Sequence, residues 1–201
     1  MDLDVRLDEL IGMNDTLIAL VGESGSGKTA IANYLKDIYG LRILRSYTTR
    51  KKRADSNDDH CYISIEEYSK LDNKVAENCY NGNMYCATEK QCDESDVYVV
   101  DVPGLKMLKK NYKNKKVFAI YIDVPENTRV QRMKMRGDSN ELIVSRMKND
   151  KGKDFKDAKL LCDVTINNEF CLAMTTMAIV AEVNKFREKN NMEGDLVKKL
   201  D

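Results

Sequence analysis

Residues 22–29, GESGSGKT, satisfy the pattern G-x-x-x-x-G-K-[ST] directly after a wholly apolar run, TLIALVG. Gly22, Gly25 and Gly27 let the chain curl so that amide hydrogens converge on phosphate oxygens, and the helix opening at TAIANYLKDIYG adds the positive end of its dipole. Lys28 would reach the outer phosphates, and the Thr29 hydroxyl would ligate Mg²⁺, with Glu23, Ser24 and Ser26 completing the loop. Such a loop implies a bound nucleoside triphosphate with Mg²⁺. A second feature is SYTTRKKR at 46–53, a run of four cations in a chain of zero formal net charge. Arg50 and Arg53, three apart, can hold one phosphate through bidentate pairs. A third is the set Arg129, Arg132 and Arg136, spaced three and four apart and so on one helical face, followed by Arg146.

These groups need a frame, and the 201 residues suffice for one sizeable core. Lys plus Arg and Asp plus Glu both number 33, so no global cationic field exists to drive nucleic-acid binding, and an anion site must be local. The six cysteines follow no CxxC spacing and His60 is the sole histidine, which excludes zinc fingers and ribbons and suits reduced thiols in the cytoplasm. No apolar run spans a bilayer, so no membrane association is expected, and the state is read as monomer or homodimer.

TLIALVG, VYVVDV (97–102) and VFAIYIDV (117–124) read as strands buried on both faces, each leading into helical periodicity, with Pro125 in a first helical turn. LRILR (41–45) reads as the next strand of that sheet, delivering the cationic run to the P-loop cleft beyond the strands' carboxyl ends. After GKT, a stripe of Ile31, Leu35 and Ile38 faces the core and Gly40 caps the helix. Between 54 and 96 short strand-like pieces (CYISI, VAENCY, NMYCA) alternate with small helices marked by capping boxes, Ser64 with Glu67 and Thr88 with Gln91. Residues 136–157 form a charged, helical excursion, and VTI (164–166) leads to a long helix carrying Phe170, Met174, Met177, Ala178 and Ala181. A lead-in helix at 1–15 and a frayed tail from 188 complete the chain. The fold class is α/β: a P-loop NTPase-type parallel sheet flanked by helices, with a small β-rich insertion and a helical lid.

The chain resembles guanylate kinase over 16 to about 187, through GESGSGKT, S-x-T-T-R-x-x-R, ENCYNGNMYCAT, VVDVPG, RVQRMKMRGDSNELIVSRM and INNEF in that order. The resemblance implies an acceptor-nucleotide insertion at about 46–96 and a lid at about 132–157. It implies ATP-dependent phosphorylation of GMP or dGMP, with Arg50 and Arg53 on the acceptor phosphate, Lys51 and Lys52 remaining solvated. Ser46, Glu77, Thr88 and Asp101 would contact the base, consistent with guanine's N1–H and amino donors wanting carboxylates. Taken alone, Glu77 reads as a surface acid and Asp101 as a strand-end cap. His60 falls where the family has a phosphate-touching tyrosine; Tyr85 or Cys86 stands at the second, with Tyr85 favoured for its hydroxyl. Val99 replaces the first acid of D-x-D-x-Q-G. Arg132, Arg136 and Arg146 would neutralise the transferred phosphoryl group, and Asn167 would lie near the ATP base. A same-fold kinase for another nucleoside monophosphate or a ribose phosphate, or a catalytically silent interaction domain, are the alternatives.

Overall fold

A computed structural model describes residues 15–52, 60–80, 82–152 and 155–198. The expected lead-in helix at 1–15 and Arg53 lie, but for Asp15, outside the described residues. Strand β1 (Thr16–Val21) is buried along its whole length. It pairs in parallel with β6 (Val97–Val99) on one side and β7 (Lys116–Asp123) on the other, and β8 (Val164–Asn167) continues the sheet beyond β7. Alternation along β1 feeds two cores. Leu17, Ala19 and Val21 pack with Leu105 and Leu108 of α4 (Val102–Asn111), while Ile18 and Leu20 meet α1 (Lys28–Tyr39) and α8 (Leu172–Lys198) on the opposite face. Both faces are covered, which is why these strands read as unbroken apolar runs.

The expected strand at 41–45 reduces to one bridge, Ile43 to Val97. Asp96 accepts from the Arg42 backbone at 2.9 Å and from its guanidinium at 2.8 Å twice, and the Leu44 amide donates to the Val97 carbonyl at 2.7 Å. These contacts hold the segment against β6 without a ladder, and the chain then enters a second sheet.

That sheet, ordered β3 (Cys61–Tyr62), β2 (Tyr47–Thr48), β5 (Asn83–Thr88), β4 (Lys74–Tyr80), is the β-rich insertion. Its short helices α2 (Ile65–Ser69) and α3 (Glu89–Asp93) start at the two anticipated capping boxes, both fully formed. Gly40 caps α1 at φ 67°, as its type requires, but Ile38 lies half exposed rather than on the core stripe. Helices α5 (Glu126–Met135), α6 (Asn140–Gly152) and α7 (Phe155–Leu161) form the helical excursion, with Pro125 at the N-cap of α5 rather than inside its first turn.

Helix α8 corrects one expectation. It stays helical to Lys198, through most of the segment NNMEGDLVKKLD expected to fray; along it Met174 and Met177 face outward, as does Phe170 just before it, while Thr175, Thr176, Ile179, Val180 and Val183 are buried. The threonines can face inward because their hydroxyls are satisfied locally: Thr176 Oγ1 donates to the Leu172 and Ala173 carbonyls, each at 2.9 Å. Among the described residues no helix is long and apolar enough to cross a membrane.

Candidate active site

The carboxyl ends of β1, β6, β7 and β8 bring Gly22, Asp101, Asp123 and Asn167 to one edge of the parallel sheet. The loop after β1 takes the left-handed φ values only glycine adopts freely, 81° at Gly25 and 93° at Gly27. A Cβ at Gly25 would stand 2.7 Å from the Arg129 carbonyl, and one at Gly27 would stand 2.5 Å from Asn168 Nδ2. The loop is thus wrapped tightly by α5 and by the turn after β8. Gly27 is the N-cap of α1 and brings no side-chain acceptor to the first turn, as suits a helix terminus that meets an anion. Lys28 Nζ donates to the Gly22 carbonyl at 2.7 Å and the Glu23 carbonyl at 2.9 Å, which folds its charge over the loop. Thr29 is exposed in the first turn of α1. Glycine cradle, helix terminus, lysine and hydroxyl together fit a triphosphate and its divalent metal.

The loop is buttressed by groups whose bracing role the sequence did not disclose. Arg129 is 3% exposed, pairs with Glu23 at 3.0 Å, and donates to the Ser24 and Val124 carbonyls. Asp150, on α6, accepts from the Ser24 amide at 2.8 Å and the Ser24 hydroxyl at 3.2 Å. Burial raises the Glu23 carboxyl above its usual range, against the opposing charge of Arg129 and with help from Asp150, Asp123 and Glu126. Asn168, rather than Asn167, touches the loop: its Nδ2 donates to the buried Ser26 carbonyl at 2.8 Å, and its Oδ1 accepts from Thr175 at 2.8 Å. Asn167 points instead to Glu169 and lines a cleft of about 370 Å³ with Phe170 and Met174. The INNEF pattern flagged this turn for Asn167 alone, and the role of Asn168 on the loop is additional to it.

Of the lid arginines, Arg132 lies nearest the loop, donating to the Asn168 carbonyl at 2.6 Å. Arg136 and Arg146 converge on Asp138, Arg136 through two hydrogen bonds and Arg146 at 3.6 Å.

A second pocket, of about 100 Å³, opens at the end of β6 and is lined by Ser46, His60, Glu77, Tyr85 and Asp101, with Asn78, Tyr98, Val99 and Gly104. Five of the residues singled out as acceptor contacts therefore meet in one cavity. Ser46 Oγ lies 2.9 Å from His60 Nδ1, and the His60 ring packs edge-on to Tyr85 at 5.6 Å between centroids. Of Tyr85 and Cys86, Tyr85 lines the cavity and Cys86 is buried outside its lining. Arg50 donates to the Tyr62 hydroxyl at 3.2 Å and lies over that ring at 5.9 Å. Asp101 also fills the cap role its position suggested, accepting from the Gly104 amide at 2.9 Å. Thr88 stands outside the lining; its hydroxyl accepts from the Gln91 amide in the capping box of α3.

Residues 18–156 match the family model described as an AAA domain. The guanylate kinase of Fusobacterium nucleatum is 24% identical over 180 residues, spanning 83% of this chain and 95% of that protein. That of Hydrogenovibrio crunogenus is 23% identical over 189 residues, spanning 86% and 90%. Among solved structures, the guanylate kinase from Anaplasma phagocytophilum superposes with a TM-score of 0.50 at 17% identity, covering 90% of this chain and 86% of that one.

Proposed function

We propose that this chain, which belongs to the AAA-domain family and shares the P-loop fold of the guanylate kinases, transfers a phosphoryl group from ATP to GMP or dGMP, giving ADP and GDP or dGDP. The observation that carries the reading is the pocket uniting Ser46, His60, Glu77, Tyr85 and Asp101 at the end of β6, the strand paired directly with the P-loop strand β1. Guanine presents two adjacent donors, N1–H and the 2-amino group, and two carboxylates in one small cavity suit that edge. Adenine would meet them with an acceptor nitrogen. The insertion at about 46–96 is the acceptor domain and the helices from about 132 to 157 the lid. Free cysteines suit a cytoplasmic setting.

The acceptor phosphate, with a second pKa of about 6, is largely ionised at neutral pH, so no general base is needed. The chain's task is to align two phosphates and cancel their repulsion. Lys28 and the amides opening α1 would hold the donor's outer phosphates, and Arg50 and Arg53 the acceptor phosphate. Arg132 already flanks the loop, while Arg136 and Arg146 would leave Asp138 for the transferred group as the lid shuts and excludes water. Thr29 would hold Mg²⁺, which, when bound, spreads and neutralises charge across the donor phosphates. A coupled assay of ADP release across GMP, dGMP, AMP, UMP, CMP and a ribose phosphate ester tests the reading. GMP or dGMP should give the highest kcat/KM; preference for AMP, a pyrimidine nucleotide or the ribose ester, or no turnover with any acceptor, overturns it.

A further inference from the structure

Glu77 and Asp101 are each held by a neighbour that the motif pattern does not pick out. Tyr68 lies on α2, is only 4% exposed, and its hydroxyl donates to Glu77 Oε1 at 2.7 Å and reaches the Tyr85 carbonyl at 3.4 Å. Its ring is pinned from the other side by Lys74, whose Nζ lies 4.9 Å from the centroid. Burial, and then the bond to Glu77, drives the phenol far above its ordinary pKa, so it stays a donor at every working pH. Asn78, next to Glu77 on β4 and itself lining the pocket, donates through Nδ2 to Asp101 Oδ2. That bond ties the insertion sheet to the end of β6, across the junction the pocket occupies.

A carboxylate on a free side chain samples several rotamers and reads a base edge poorly; one whose oxygen is anchored presents its remaining lone pairs in a fixed direction. The two anchors act on different acids from different elements, α2 for Glu77 and β4 for Asp101. We propose that Tyr68 and Asn78 are positioning residues for acceptor recognition, each fixing one of the two carboxylates that face the guanine edge. The proposal rests on the reading of Glu77 and Asp101 as base contacts. It assigns the pocket's selectivity to four residues, of which two never need to touch the nucleotide.

The test is steady-state kinetics on the full chain with Tyr68→Phe, Asn78→Leu, Glu77→Ala and Asp101→Ser, the last keeping an N-cap for α4. The double variants Tyr68→Phe/Glu77→Ala and Asn78→Leu/Asp101→Ser complete two cycles. Loss of one hydrogen bond to a charged group predicts that each positioning variant raises the KM for GMP about tenfold. The kcat at saturating GMP and the KM for ATP should stay within about twofold. Because each acts through its acid, each double variant should match the acid variant alone. Thermal melts taken in parallel separate positioning from folding. A lowered melting temperature with unchanged GMP KM, or additive effects in the cycles, overturns the proposal. If Glu77→Ala and Asp101→Ser themselves leave the GMP KM unmoved, the base-contact reading fails first, and the positioning proposal fails with it.

Discussion

Gly27→Ala probes how tightly the phosphate loop is built into its surroundings. Two costs follow from the structure. A Cβ-bearing residue at φ 93° takes on left-handed strain of about 1–2 kcal/mol. The new Cβ would also stand 2.5 Å from Asn168 Nδ2, so the amide must swing away and abandon the Ser26 carbonyl it holds at 2.8 Å. Ser26 is fully buried, so the orphaned carbonyl adds about 1–3 kcal/mol. The expected loss is about 2–5 kcal/mol in urea unfolding at pH 7. Gly40→Ala supplies the control: its φ of 67° carries the same kind of strain, but nothing lies within 4 Å of the added Cβ, so about 1–2 kcal/mol is expected. Calorimetry with ATP should show at least a tenfold weaker binding for Gly27→Ala, because Asn168 also carries Arg132 on its carbonyl at 2.6 Å, and unchanged binding for Gly40→Ala. If the two variants lose equal stability, Asn168 is not the buttress of this loop and the reasoning is refuted.

Arg50→Ala should abolish most GMP affinity in a titration while leaving ATP affinity intact; unchanged GMP binding would remove the cationic run from the acceptor site. Asp150→Ala takes a buried acceptor from the Ser24 amide and hydroxyl and a counter-charge 3.7 Å from the Arg129 guanidinium, so unfolding free energy should fall by about 2–4 kcal/mol. A loss below about 0.5 kcal/mol would show that the lid helix does not brace the loop. Asp96 is buried, which by itself raises its pKa, but the hydrogen bonds from the Arg42 side chain and backbone outweigh this and hold it below its ordinary 3.8. A depressed folded pKa gives stability that is present above 3.8 and lost as pH falls through the folded value, so the gap between parent and Asp96→Asn should close in acid unfolding below that pH. A gap that persists unchanged to the acid limit would rule this out. At pH 8 a maleimide should label Cys79 and Cys171, both exposed, well before Cys86 and Cys92, whose thiols burial pushes up to about 11 and about 12. Rapid labelling of either buried thiol would contradict the packing of α3 and β5.

What could be read from the sequence divides along a physical line. The core strands were legible because burial on both faces leaves no polar position, and β1 is apolar save for Thr16 at its start. The capping boxes were legible because a cap is a contact between residues three apart. The short segment at 41–45 was misread because its pairing is decided by Asp96, 54 residues away from Arg42, and no local periodicity records a long-range salt bridge. On α8 Met174 and Met177 carry the stronger apolar signal, yet the inward face goes to Thr175 and Thr176. A hydroxyl that bonds its own helix or Asn168 is no longer costly to bury, and hydropathy cannot register that.

The site divides similarly, and the division explains its design. Gly22 to Thr29 form one continuous segment whose pattern is fixed by local spacing, so the motif located them. Tyr68, Asn78, Asn168 and Asp150 act on other side chains or on the loop itself, from α2, β4, the β8 turn and α6. Such roles exist only once the fold has brought distant segments together, and their residue types are ordinary on the surface of any protein. Asp150 makes the point most fully: it lies 126 positions from Ser24, on the lid, yet its carboxylate holds the loop's amide at 2.8 Å. Arg146 stands one helical turn before it on α6. Under the proposed function, Asp150 would brace against the loop the same helix that carries Arg146, so Asp150→Ala should loosen both.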